Sequence, residues 1–444
     1  MSRKPTATSV PASRISRLTH LGSMTAGVAG NMALGSLAEI SKGRRPAMRD
    51  LLLTPANLTR IANRLAEMRG AAMKIGQLVS MDTGDVLPPE LAQIMARLRD
   101  DAHIMPPSQL KQVLNSHWPK GWLQAFQTFD VHPIAAASIG QVHRAKLKDG
   151  RDMAIKVQYP GVARSIDADV ANVGALIKMT GLLPKGFELG PYLEEAKAQL
   201  HEETDYLREA THLRDFRALL ANDERFLLPD VHQDWTTEAI LAMDFIDSVE
   251  IESVADTEQD TRDRVARTLI ELMLAELFRF ATMQTDPNFA NYRYQPATGQ
   301  IVLLDFGATR VIAPEIAAIY HRLLKAGLDG DRVRLRSAAL ELGLFVESTE
   351  ARHADRITGM MEMLFAEITA APEMDFGTTD LTRRMQVEGT ALAEAGFVPP
   401  PLPVDALFPQ RKFGGMFLLA ARLRARVPVH ALLREHLEDA ASVG

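Results

Sequence analysis

The chain has 444 residues, of which 46% are hydrophobic and 24% charged, with a formal net charge of -6. That length accommodates two to three domains, or one bilobal enzyme with an extension, and the acidic balance argues against general nucleic-acid binding. With no cysteine, disulfides and thiolate metal sites are excluded, and no run reaches the roughly 18 uninterrupted apolar residues of a membrane-spanning helix.

Residues 1–38 contain no acid but carry Arg3, Lys4, Arg14 and Arg17, and the Ser/Thr/Ala/Pro-rich tip up to Pro11 is expected to be disordered. The segment 18–40 is rich in small residues, with Gly22, Gly27, Gly30 and Gly35. It reads either as a helix packed on the body or as a membrane-contacting stretch, and the basic, acid-poor terminus also has the character of a transit peptide. Over 55–81, Leu58, Ile61, Leu65, Met68, Ala72, Ile75 and Val79 recur at spacings of three and four and predict a long amphipathic helix. Lys74, Gly76 and Gln77 fall inside it. A glycine in a helix interior costs about 1 kcal/mol relative to alanine, so Gly76 reads either as permitting a close approach or as a tolerated glycine beside a solvated Lys74. Further helices are expected over 89–100 and, after Pro106 and Pro107, over 108–117.

Near Trp122 the pattern changes to short strands over 126–131, 138–147 and 153–158, with Lys148-Asp149-Gly150-Arg151 as a hairpin turn. Lys156 lies in Met153-Ala154-Ile155-Lys156-Val157, which matches the V-A-I-K strand whose Lys contacts nucleotide phosphates in kinases. Upstream, where a kinase places a Gly-rich loop, the chain has Ala135-Ala136-Ala137-Ser138-Ile139-Gly140-Gln141. Cβ atoms limit how closely such a backbone follows a triphosphate, so the loop sits farther from the nucleotide or its role has changed.

A helical region runs over 160–220, broken near 183–186. Glu195, Glu202 and Glu209 recur every seven residues on one predicted helical face, and spacing alone leaves open which of them meets the strand Lys, as a kinase small lobe requires. Segments 226–231 and 239–245 are expected to complete the small-lobe strands, with the hinge over 243–247. The apolar run 265–282 predicts a buried helix entering the catalytic loop, too charged at Arg267, Glu271, Glu276 and Arg279 for a bilayer span. Asp286 and Asn291 then lie in a Pro-containing turn, and Ile301 to Leu304 read as a buried strand that delivers Asp305 of an Asp-Phe-Gly. In the kinase template the Asp of that loop faces the attacking group, while the Asn and the second Asp hold magnesium through oxygen. Six residues separate Gly307 from the helix expected at Pro314, too few to lay out a peptide substrate. Helices are expected over 314–326, 331–342, 350–371 and 381–395, then a rigid connector over 399–403 and an Arg-rich helical segment over 410–437 that caps the fold or touches anionic lipid.

Four motifs occur in order: K-x-G-Q from Lys74, A-A-A-S-I-G-Q-V-H from Ala135, E-x-D-Y-x-R-E-A from Glu203, and Q-T-D-P-N-x-x-N from Gln284 followed by L-L-D-F-G-A-T-R. On these residues the chain resembles the UbiB/AarF atypical kinase-like family over roughly 13–437, most closely its mitochondrial coenzyme Q branch and bacterial relatives. Gln284 and Phe289-Ala290-Asn291 stand where other branches carry His-x-Asp and His-Pro-Gly-Asn. The resemblance implies an α+β, bilobal protein-kinase-like fold with a helical N-terminal extension and a mostly helical large lobe. The divisions expected are an arm over 1–48, a helical extension over 49–120, a small lobe with a helical insertion over 121–246 and a large lobe over 247–444.

It further implies that Lys156 pairs with Glu209, that Asp286 takes the catalytic position, and that Asn291 and Asp305 hold Mg2+. ATP is expected against Ala135, Ala136, Ala137, Ser138, Lys156 and the hinge residues Met243, Asp244 and Phe245. Glu203 and Asp205 are implied to face Lys74 and Gln77, so that the helix holding Lys74, Gly76 and Gln77 covers the side where a peptide would enter. The implied activity is an ATPase or small-molecule kinase supporting ubiquinone biosynthesis at a membrane surface; the alternative is a nucleotide-switched scaffold or lipid-binding protein of the quinone biosynthetic complex. The implied partners are ATP, quinone-like lipid precursors and an anionic membrane surface, with no nucleic acid; quinone biosynthesis proteins and a homodimer are admitted. The implied location is the cytoplasmic side of the inner membrane in a bacterium, or the matrix side in a mitochondrion.

Overall fold

The computed structural model describes residues 65, 68–82, 104–137, 139–180, 188–400 and 403–443. The arm at 1–48, the helix expected over 89–100 and Ser138 lie outside them. The described residues form two compact units, one holding those up to Arg208 together with Asp230–Phe245, the other holding Glu209–Pro229 and everything from Ile246 onward.

The first unit is built on an antiparallel sheet in the order β1 (Phe126–Phe129), β3 (Gly140–Leu147), β4 (Asp152–Gln158) and β6 (Ile240–Asp244), with β2 (Ala135–Ala136) added along β3. Six successive residues of β4, Met153 to Gln158, are buried, because both faces of this central strand are covered and the alternation of a half-exposed strand is lost. Helix α1 (Arg69–Asp82) packs with α3 (Val162–Thr180) and α4 (Gly190–Glu203). Gly174 permits the contact of α3 with α4, since a Cβ there would lie 2.6 Å from Leu193 Cδ1. Helix α2 (Pro107–His117) is fastened to the sheet by an aromatic cluster of Trp118, Trp122, Phe126, Phe129 and Trp235. The Trp118 and Trp122 indoles donate to Trp235 O at 3.0 Å and Asn115 Oδ1 at 2.9 Å, so these large rings are buried with their polar atoms satisfied.

The second half of the helical region expected over 160–220 is two helices, α4 and α5 (Tyr206–Leu219), because the chain turns at Thr204 and Asp205. The seven-residue face expected to carry Glu195, Glu202 and Glu209 is broken there. Glu195 accepts from Gln199 on α4, Glu202 lies 3.6 Å from Arg208, and of the three Glu209 alone is buried, at 2% exposure.

The second unit is mostly helical. Its four-stranded sheet runs β5 (Phe226–Leu227), β10 (Gln300–Leu303), β9 (Tyr292–Gln295) and β7 (Val249–Glu250). Here β5 corrects the expected placement of 226–231 among the small-lobe strands: Phe226 and Leu227 pair in parallel with Ile301 and Val302, in this second unit. A two-residue strand has no pattern that specifies its sheet, and the long-range pairing decides. A second ladder joins β8 (Thr282–Gln284) to β11 (Thr309–Val311). The buried helix α6 (Gln259–Phe278) enters β8, and α7 (Pro314–Leu328), α8 (Arg332–Glu341), α9 (Ala351–Thr369) and α10 (Leu381–Glu394) follow close to the expected limits. The Arg-rich segment is not one helix. It comprises α11 (Val404–Leu423), a break at Arg424 with φ 51°, the short strand Arg426–Val427, and α12 (Val429–Val443). Arg411 and Lys412 of α11 turn inward, to 6% and 1% exposure. Among the described residues no helix is long and apolar enough to cross a membrane.

Candidate active site

In the first unit, Lys156 is 7% exposed and its Nζ lies 5.2 Å from the ring centroid of Tyr206. It stands mid-strand with Val142 opposite on β3 and Leu241 opposite on β6. The alanine-rich segment is a tight hairpin folded onto β3, with Ile134 N donating to Val142 O and Ala137 N to Gly140 O, both at 2.8 Å. These amides are spent within the hairpin. A Cβ at Gly140 would lie 2.4 Å from Val157 O, so strand packing alone requires that glycine. Of the hinge residues, Met243 is buried, and Asp244 N and Phe245 N donate to Asp230 O at 3.0 Å and Asp152 O at 2.9 Å. Neither amide is free to donate to a ligand. The Asp244 carboxylate accepts from Asp230 N and meets His232 Nε2 at 2.8 Å, while Arg144 stacks 3.8 Å over Phe245.

Lys74 is 4% exposed and forms an ion pair with Glu203, which ties α1 to the end of α4. Gly76 is buried in the same helix. Asp205 is not brought to Lys74: it is exposed, and its Oδ1 accepts from Arg208 N at 2.9 Å as a cap on α5. The side chain of Gln77 lies outside the described residues.

Gln141 and His143 of the A-A-A-S-I-G-Q-V-H motif were not singled out as site residues from sequence, and both are fully buried. Gln141 Oε1 accepts from Met105 N at 2.9 Å, its Nε2 meets His143 Nε2 at 2.8 Å, and His143 Nδ1 lies 2.8 Å from Asp130 O. A carbonyl can only accept, so Nδ1 carries the proton and Nε2 accepts from the Gln amide. Burial pushes the His143 imidazole below its ordinary 6.5. Below that value the unfolded chain therefore binds a proton that the folded unit resists, and stability falls as pH drops through and below 6.5. All three tryptophans belong to this unit, so their fluorescence reports on it. The urea midpoint they record is expected to fall between about pH 7.5 and about pH 5.5, with a shallower fall in His143→Asn.

In the second unit, the loop between β8 and β9 is ordered by its own polar side chains. Asn288 Oδ1 accepts from Ala290 N at 3.1 Å, and Asn291 Nδ2 donates to Asp286 O and Oδ2, each at 3.2 Å. The structure thus brings Asp286 and Asn291 together and leaves the Asn291 amide oxygen for another partner. Thr285 binds this loop to the Asp-Phe-Gly turn, donating from N and Oγ1 to Ala308 O at 3.0 and 2.7 Å. Leu304 N donates to Asn291 O at 3.3 Å, which joins the loop to the residue before Asp305. Asp305 is half-buried, with Oδ1 accepting from Gly307 N at 3.0 Å. Phe306 packs against Phe216 of α5, ring centroids 4.8 Å apart, and Glu209 lies seven residues earlier on that helix. A Cβ at Gly307 would lie 3.4 Å from Asp305 Oδ1 and 3.5 Å from Glu209 Oε2. Two carboxylates therefore flank Gly307. The Asp305 carboxylate and the Asn291 amide oxygen are hard-oxygen donors of the kind that suits Mg2+, which takes one or two protein carboxylates and completes its shell with water and phosphate.

An antiparallel-sheet unit with a buried strand lysine, joined to a helical unit with this Asp, Asn and Asp-Phe-Gly arrangement, defines a protein-kinase-like protein. The chain belongs to the ABC1 atypical kinase-like family: the model of the ABC1 atypical kinase-like domain matches residues 97–339. It is 38% identical to the atypical kinase COQ8, mitochondrial, of Saccharomyces cerevisiae, over 96% of this chain and 85% of that protein. To the atypical kinase COQ8B, mitochondrial, of Rattus norvegicus it is 37% identical, over 96% of this chain and 81% of the relative. The solved complex of Rv3197 with erythromycin from Mycobacterium tuberculosis shares the fold, with a TM-score of 0.58 at 24% identity, covering 84% of this chain and 93% of that one.

Proposed function

We propose that this protein is an Mg2+-dependent, ATP-binding atypical kinase or ATPase whose activity supports ubiquinone biosynthesis at a membrane surface. The observation that carries this reading is the convergence of Asp286 with Asn291, and of Asp305 with Glu209 about Gly307. Asp305 and the amide oxygen of Asn291 would hold the ion, which when bound neutralises phosphate charge. Lys156 would supply a cation to phosphate and Asp286 would orient the attacking oxygen. The coenzyme Q assignment is supported by similarity to the proteins named COQ8. Quinone-like lipid precursors, reached from an anionic membrane through the segment 18–40, are the substrates this reading favours over peptides.

In a strain lacking the gene, cellular ubiquinone measured by mass spectrometry is expected to fall and to be restored by wild type but not by Asp305→Asn. Full rescue by Asp305→Asn would favour the nucleotide-switched scaffold, and normal quinone in the deletion would remove the pathway.

A further inference from the structure

Helix α11 lies beyond the residues that the family model matches, yet one face of it meets three segments of the candidate site. Phe408, Lys412 and Gly415 are spaced i, i+4 and i+7 and so share a face. The Phe408 ring lies 4.8 Å from the Arg310 guanidinium, just past the Asp-Phe-Gly turn. A Cβ at Gly415 would lie 2.2 Å from Pro287 Cβ, so the helix backbone is pressed against the residue after Asp286. Between these contacts, Lys412 is fully enclosed, 3.1 Å from Glu276 Oε2 of α6. Its Nζ donates to Gln284 O and Tyr292 Oη, both at 2.8 Å, with Gln284 Oε1 at 3.3 Å. Gln284 and Tyr292 bracket the loop of Asp286 and Asn291, one on each side.

We propose that α11 is the platform of this loop, and that Lys412, paired with Glu276, is a positioning residue that clamps both ends of segment 285–291. The clamp is made of backbone and buried side chains, so it acts on the placement of Asp286 and Asn291 without touching nucleotide. The inference rests on the reading of those two residues as the catalytic and metal-holding groups.

A variant pair separates positioning from simple stability. Lys412→Met leaves the Glu276 carboxylate buried alone, whereas Glu276→Leu with Lys412→Met removes both charges, an exchange that is often neutral for folding. A third variant, Gly415→Ala, leaves every charge in place and pushes on Pro287. Hydrogen exchange of segment 284–292, melting temperature, and kcat and KM for ATP with Mg2+ are measured for each. The double variant is expected to regain most of the melting temperature lost by Lys412→Met. Its segment should still exchange about tenfold faster than wild type, with kcat about 10- to 100-fold lower and KM little changed. Gly415→Ala should lower kcat and, by overpacking against Pro287, lower the melting temperature too, with its faster exchange confined to segment 284–292. Wild-type exchange in the double variant, or wild-type kcat in both it and Gly415→Ala, overturns the proposal. If Asp305→Asn turns over ATP like wild type, the catalytic reading fails instead, and hydrogen exchange alone still decides whether α11 holds the loop.

Discussion

Asp305→Asn is expected to lower Mg2+-dependent ATP turnover by about 10²- to 10³-fold, the scale lost when one preorganised charge-stabilising group is removed from a site of this kind. The substitution keeps the shape of the side chain and an oxygen that can still accept from Gly307 N, the bond that measures 3.0 Å in the native turn. What it removes is the carboxylate charge that, beside the neutral amide oxygen of Asn291, would supply most of the attraction for a divalent cation. Folding should therefore be spared, with a melting temperature close to wild type, and the loss should appear in steady-state turnover and as a raised Mg2+ requirement. Unchanged turnover at saturating Mg2+ would show that Asp305 does not serve the metal.

Lys412→Met should give the largest stability effect, a loss of about 3–5 kcal/mol, because it strands a buried carboxylate by removing the cation paired with it. That is a large share of the roughly 5–15 kcal/mol that holds a typical domain folded. Burial by itself opposes the Lys412 charge, but Glu276 and then Tyr292 outweigh it and raise its pKa above the ordinary 10.5. A raised folded-state pKa places the stabilisation at every pH below that of the free side chain, and it is lost only as pH climbs past the raised value. The melting temperature followed by far-UV circular dichroism should drop on the order of 10 °C. Tryptophan fluorescence, confined to the other unit, provides an internal comparison. A drop of less than about 2 °C would mean that Glu276 is neutral in the fold or that water reaches it.

The parts of the site that sequence made legible are those written in a few consecutive residues. Lys156 was recognisable because a cation stands inside an apolar strand, and Asp286, Asn291 and Asp305 because a turn and a buried strand place them at fixed offsets. The helices from Pro314 to Glu394 were also legible, since an amphipathic period in most of them and Pro, Asp or Glu at each start are local signals. The α+β kinase-like architecture followed from the order of such segments together with the four motifs.

Which of three equally spaced acids is buried was not local. It depends on the turn at Thr204 and Asp205 and on Phe216 packing against Phe306 some ninety residues later in the chain. The sheet joined by Phe226 and Leu227 was hidden for the same reason, as two residues carry no register of their own. The partnership of Lys412 with Glu276 was hidden most deeply, because a lysine in an Arg-rich helix reads as solvated until another helix closes over it. Gly415 inside α11 was not singled out from sequence, and only the structure shows that Pro287 comes close to it. Local composition and spacing thus determined which groups can do chemistry, since bonding capacity belongs to the residue. Tertiary structure decided which of them are buried, paired and held in place, since desolvation and long-range packing belong to the fold.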